Sequence, residues 1–94
     1  MKLLGRERLI EFSEKHSDAS NWIYCWIGEI ENASWRTPND IRAGYASASF
    51  LANNTVIFNV KGNKYRLATI IAYATQIVVV RWIGTHAEYS RRKF

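Results

Sequence analysis

From Thr55 onward the chain is written in short β-branched and aromatic runs, TVIFNV, KYRLATIIAYA and QIVVVRWIG, parted by brief polar turns. Such runs predict three strands in an antiparallel meander. Upstream the period lengthens to that of a helix. Leu9, Ile10 and Phe12 lie among Glu7, Glu11, Glu14 and Lys15, which predicts a helix from Arg6 to about His16. Trp22, Ile23, Trp26, Ile27 and Ile30 form one stripe of a second helix, for which Asp18 and Ser20 are candidate N-caps. Core packing is the better reading of that stripe than a pair of base-stacking tryptophans.

Shorter signals complete the pattern. MKLL predicts a short N-terminal strand, and Thr37-Pro38-Asn39-Asp40 opens a helix of a turn or two before Gly44. AGYASASFLANN reads as a connector within one domain. Thr85 and Glu88 form a capping box for a last helical turn. Helices come first and strands after, so the expected class is α+β in a single domain over residues 1–94. N-terminal helices pack on one face of a small twisted antiparallel sheet, with a short helical turn at the C-terminus.

The stretch NVKGNKYRL concentrates charge where the first hairpin bends. A two-residue turn at Gly62-Asn63 sets Asn59 opposite Arg66 and Lys61 opposite Lys64. Strand alternation then puts Asn59, Lys61, Lys64 and Arg66 on one face, and Val56, Phe58, Val60, Tyr65 and Leu67 on the other. The apolar set packs on the helices, so the polar set faces outward. Like charges opposed on a sheet are mildly destabilising, which a ligand explains better than solubility does. A two-residue turn at Ala74-Thr75 brings Arg81 to the same face, diagonal to Arg66; a three-residue turn reverses it.

Charge and composition narrow the partners. A formal charge of +5, with pI near 9.7, favours an anionic partner such as nucleic acid or an acidic protein. Cys25 is the single cysteine, so no intrachain disulfide is available, and its apolar neighbours predict a buried, inert thiol. Two histidines without paired cysteines offer no metal-ligand spacing, and no metal or cofactor is expected. No apolar run approaches the ~20 residues of a membrane span. The N-terminus is charged by Arg6, unlike a signal peptide, so a cytoplasmic location is expected.

His86 and Tyr89, three apart on the last helical turn, project from neighbouring positions, with Arg92 following. RNA supplies its own nucleophile, the 2′-hydroxyl. A ribonuclease then needs proton-transfer groups and cations to hold the phosphate. Histidine titrates near neutrality, so His86 suits either proton role. Arg66 can grip a phosphate by two hydrogen bonds, and Tyr89 can stack on a base or shuttle a proton. A plain helix-end histidine is the competing reading.

The order FNVKGNKYRL, a hydrophobic strand pair and then IGTHAEY resembles the HigB branch of the RelE-like toxins of bacterial type II toxin–antitoxin systems. The MKLL start, the Trp-rich helix, TPNDIRAGYASASFL and NNTVIFNV agree with it. The resemblance implies a ribosome-dependent, metal-independent endoribonuclease that cleaves mRNA and inhibits translation. It also implies a helix-turn-helix (HigA-like) antitoxin, with operator DNA bound only through the toxin–antitoxin complex. Carried over by position, the catalytic residues are Arg66, His86 and Tyr89, and Lys61 and Lys64 contact the RNA backbone. Asn59, Arg81 and Arg92 complete the expected RNA-binding set. Members of this branch often carry an aspartate where this chain has Ser90. The alternative expectation is an inactive relative, a non-catalytic module that binds RNA or the ribosome.

Overall fold

A computed structural model describes all 94 residues, Met1 to Phe94. In chain order the elements are β1 (Lys2–Leu4), α1 (Arg6–Lys15), α2 (Ser20–Asn32), α3 (Pro38–Gly44) and β2 (Ser49–Phe50). They continue with β3 (Thr55–Val60), β4 (Tyr65–Ala72), β5 (Ile77–Thr85) and α4 (His86–Ser90). The architecture is α+β, as the order of helical and strand patterns predicts.

The β-branched runs do form the meander β3-β4-β5, and the sheet grows at both edges into the order β1-β5-β4-β3-β2. β1 pairs parallel to β5, Lys2 with Ile77 through Leu4 with Val79, while the other pairs are antiparallel. The sheet is therefore mixed and five-stranded, not purely antiparallel. The connector also holds a strand that its small residues concealed: Ser49 and Phe50 of β2 pair with Ile57 and Val56. Between β1 and α1 the chain turns at Gly5, φ +88°. A Cβ there would lie 2.9 Å from the Val80 carbonyl oxygen, so only glycine lets the helix start this close to β5.

One sheet face meets the helices. Leu9, Ile23, Trp26, Ile30 and Ile41 are fully buried against Val56, Phe58, Val60, Leu67, Ile71 and Val78. Each such side chain contributes roughly 1.5–3 kcal/mol through burial. The Trp26 and Phe58 rings meet edge to face at 5.5 Å, and half-buried Trp22 stacks on Trp26 at 6.3 Å. The tryptophan stripe is thus core.

Two local expectations are corrected. Neither Asp18 nor Ser20 caps α2: a 3-10 turn over Ser17–Ala19 leads into the helix, Ala19 takes the cap position, and no side chain closes it. Cys25 is exposed, because it sits on the side of α2 away from the stripe. At α3 the sequence signal holds, and the Asp40 carboxylate accepts the backbone N–H groups of Arg36 and Thr37.

Candidate functional site

The β3–β4 hairpin has the register its turn residues predict, with Asn59 opposite Arg66 and Ile57 opposite Ala68. The sheet face turned from the helices is less open than alternation alone suggests. Ile57 and Ala68 are buried on it, and Arg66 is only 8% exposed. The Asn59 amide donates to the Ser47 carbonyl at 3.2 Å, which ties the connector to this face.

Arg66 is held by its own turn. Nη1 donates to the carbonyls of Asn63 and Tyr65, both at 3.2 Å, and Nη2 donates to Asn63 Oδ1 at 2.8 Å. A guanidinium has five N–H donors, and these three bonds leave Nε–H and one Nη2–H along a single edge. The two ion pairs of the molecule are Arg6 with Glu31 and Lys64 with Asp18, so no carboxylate neutralises Arg66. The Tyr89 ring lies beside it, 5.9 Å from guanidinium carbon to ring centroid.

The lysines of the turn part company. Lys64 does not join the outward set. Its ammonium donates to Asp18 Oδ2 at 2.5 Å, and the neighbouring Tyr65 hydroxyl donates to Asp18 Oδ1 at 2.8 Å. The hydrogen bond to Lys64, and then that to Tyr65, hold the Asp18 carboxyl below its ordinary range. The same bond raises Lys64, while burial and then Asp18 raise Tyr65. Phe12 stacks on His16 at 4.2 Å, and both rings meet Tyr65 at 5.2 Å, completing the support behind the hairpin. Lys61 is exposed and has φ +56°, so it lies outside the strand and outside strand alternation.

On β5 the two-residue turn at Ala74-Thr75 sets the register, but a bulge interrupts it. Thr69 pairs with Val80 and Ala68 pairs with Trp82, which leaves Arg81 as the extra residue. Trp82 therefore takes the position diagonal to Arg66 that alternation assigns to Arg81. Arg81 is exposed, and its carbonyl accepts from Arg8 Nη1 at 3.3 Å.

The capping box forms as its residues predict. The Glu88 N–H donates to Thr85 Oγ1 at 3.1 Å, and the Thr85 N–H donates to Glu88 Oε1 at 2.9 Å, which opens α4. The His86 N–H donates to the Lys64 carbonyl at 3.1 Å, so the helix start is docked on the hairpin turn. His86 is exposed, Tyr89 half-buried. Tyr89 packs with Trp82 and Phe94, and the Arg92 guanidinium carbon lies 5.0 Å from the Trp82 ring centroid. Arg66, Tyr89 and the backbone of His86 thus converge at one end of the sheet, while Lys64 and Arg81 have other neighbours.

The sequence reading missed Asn63, Asp18, Trp82 and Phe94. Asn63 carried a signal, since a turn amide three residues before an arginine can orient it. Trp82 depends on a bulge and Asp18 on contacts distant in sequence, while Phe94 meets Tyr89 and Arg92 close by in the chain and Trp82 on β5.

The fold and this cationic end define a small basic α+β protein with a buried arginine left without a counter-ion. The chain belongs to the HigB toxin family, the RelE-like toxic component of a toxin–antitoxin system, whose model matches residues 19–92. That match spans every candidate site residue from Asn59 to Arg92. As a HigB-like toxin the chain is one half of a pair, and its partner is an antitoxin. No curated protein sequence matches the chain. No helix is long and apolar enough to cross a membrane.

Proposed function

We propose that this HigB-like toxin is an endoribonuclease that cleaves messenger RNA on the ribosome and so stops translation. The observation that supports this most is Arg66, a buried cation with no carboxylate partner and one unoccupied donor edge. A buried charge is costly until it is paired, and two parallel N–H donors match the oxygens of a phosphate.

The chemistry follows from RNA itself. The 2′-oxygen attacks phosphorus, the bond to the 5′-oxygen breaks, and a 2′,3′-cyclic phosphate remains. One group accepts the 2′-hydroxyl proton and another protonates the leaving 5′-oxygen. His86 and Tyr89 are assigned these two roles, and Arg66 stabilises the charge that develops on the phosphate oxygens. Lys61 and Arg92 hold the flanking backbone, with Asn59 and Arg81 at its margins. Lys64, paired with Asp18, contributes less than its position in the sequence suggested.

A second reading is an inactive relative that binds RNA or the ribosome without cleaving it. The specific observation in its favour is at His86, whose imidazole has no hydrogen-bond partner to orient it, while Ser90 Oγ donates to the His86 carbonyl at 3.1 Å. Inducing the chain in bacteria, beside Arg66→Ala and His86→Ala at matched expression, separates the two. Growth arrest with shortened messenger RNA, relieved by both substitutions, is expected of the ribonuclease. Losing His86 should slow cleavage by roughly 10²–10⁴-fold and leave RNA binding nearly intact. A folded wild type that causes no arrest would leave the binding module.

A further inference from the structure

Three aromatic rings meet beside Arg66. Trp82 lies 6.3 Å from Tyr89 and 5.9 Å from Phe94, and Tyr89 and Phe94 are 5.8 Å apart with planes only 17° from parallel. Two guanidinium groups border them, Arg66 beside Tyr89 and Arg92 beside both Trp82 and Phe94. Neighbouring aromatic faces and cations are what single-stranded RNA uses, because every base has a π-face and every linkage a negative charge.

The members of this group are not held alike. Trp82 is fixed in β5 and covers Gly84, where any Cβ would collide with the indole and come within 2.9 Å of Glu88 Oε1. Its other surroundings include an open groove of about 210 Å³ shared with Arg8, Glu11, Phe12, Lys15 and Ile83. Phe94 is held differently. The last backbone hydrogen bonds run from Arg91 to Glu88 and from Arg92 to Tyr89, and none secures Lys93 or Phe94. Side-chain contacts alone, with the Trp82 and Tyr89 rings and the Arg92 guanidinium, keep Phe94 in place, whereas Trp82 belongs to the sheet.

Building on the ribonuclease reading, we infer that Trp82 and Tyr89 form a stacking site for an RNA base, and that Phe94 holds the base's place in the free protein. An incoming nucleobase displaces Phe94 from the rings, and Arg92 moves from the ring faces to the phosphate next to that base. The site selects for an unpaired nucleotide beside the phosphate gripped by Arg66. It makes Trp82 a substrate-binding residue with no part in proton transfer.

The test is binding of a short 2′-O-methyl RNA, which cannot be cleaved, free and on ribosomes carrying it, beside the same RNA with one abasic nucleotide. Trp82→Ala should weaken binding of the intact RNA by roughly 5- to 150-fold, the range expected for one stacked base. It should leave the abasic RNA unchanged. Trp82→Phe keeps a ring and should restore most of the affinity, which guards against a folding defect in the alanine variant. Phe94→Ala removes the competing ring and should tighten binding of the intact RNA. If Trp82→Ala weakens both RNAs equally, or neither, the stacking site is wrong although the ribonuclease reading stands. A wild type that binds neither RNA in either setting, yet needs Trp82 to hold its antitoxin, would overturn both.

Discussion

Arg66 and Asn63 grip one another through both terminal nitrogens of the guanidinium: Nη1 donates to the Asn63 carbonyl and Nη2 donates to its side-chain Oδ1. The hairpin turn that bends the chain therefore also aims its buried cation. Without the amide, the guanidinium keeps its charge and loses the bond that orients its free donor edge. Asn63→Ala should lower the cleavage rate by about 1.5–3 kcal/mol of transition-state stabilisation, the worth of a hydrogen bond to a charged group. The fold should persist, since Asn63 is an exposed turn residue. Cleavage assays beside thermal melts check this; a variant as active as wild type would show that Arg66 needs no such anchor.

Asp18 is a strap between the helical layer and the hairpin, and its replacement should be legible in pH. Its carboxyl is held below the ordinary 3.8 by Lys64 first and Tyr65 second, so its stabilisation is present above that value and is lost as the pH falls through the lowered one. Lys64 is raised above 10.5 and Tyr65 above 10.0. Their share is present below those values and disappears as the pH rises through the raised ones. Asp18→Asn should therefore melt lower than wild type across neutral pH, and the gap should close in strong acid and in strong base. A gap that stays constant from acid to base would mean the strap is not ionic. The pair is solvent-accessible, so salt should narrow the gap as well.

Much of this molecule was readable along the chain because its signals are local. The helix start at Thr37-Pro38-Asn39-Asp40, the capping box at Thr85/Glu88, the tryptophan stripe of α2 and the register of the β3–β4 hairpin rest on residues within a few positions of each other. The failures are places where a distant contact competes with a local one. Asp18 has the chemistry of an N-cap, but Lys64 and Tyr65, more than forty positions on, take its carboxylate. Arg81 follows strand alternation until a bulge hands its place to Trp82. β1 lies parallel to β5, a pairing that a hydrophobic tetrapeptide cannot announce. At the candidate site the basic residues are written in the sequence, and the side chains that hold Arg66 and Lys64 are not.

Cys25 offers a quick check of the helix orientation. Its neighbours Ile23, Trp26 and Ile27 are buried, yet the thiol projects from the opposite side of α2. Ellman's reagent should label one thiol per chain in native buffer about as fast as in denaturant. Labelling should leave RNA cleavage unchanged, because α2 packs on the sheet face away from Arg66. A thiol that reacts only after unfolding would mean that α2 is rotated from the position described.

Lys61 carries the clearest conflict between local stability and charge. It has φ +56°, a left-handed conformation that costs an L-residue roughly 1–2 kcal/mol. Asparagine adopts that region several-fold more readily than most residues, so a turn selected for stability alone would not favour lysine here. The conformation points to the ammonium group as the reason for the residue. Lys61→Asn should hold or raise the melting temperature while weakening RNA binding. It should also reduce the slope of log affinity against log salt by about 0.7, the contribution of one phosphate contact on a single strand. Cleavage at saturating RNA should change little, since Lys61 is assigned no proton to move. Lowered stability with unaltered RNA affinity would instead make Lys61 an ordinary solvated turn residue, and would move the backbone contacts to Arg92.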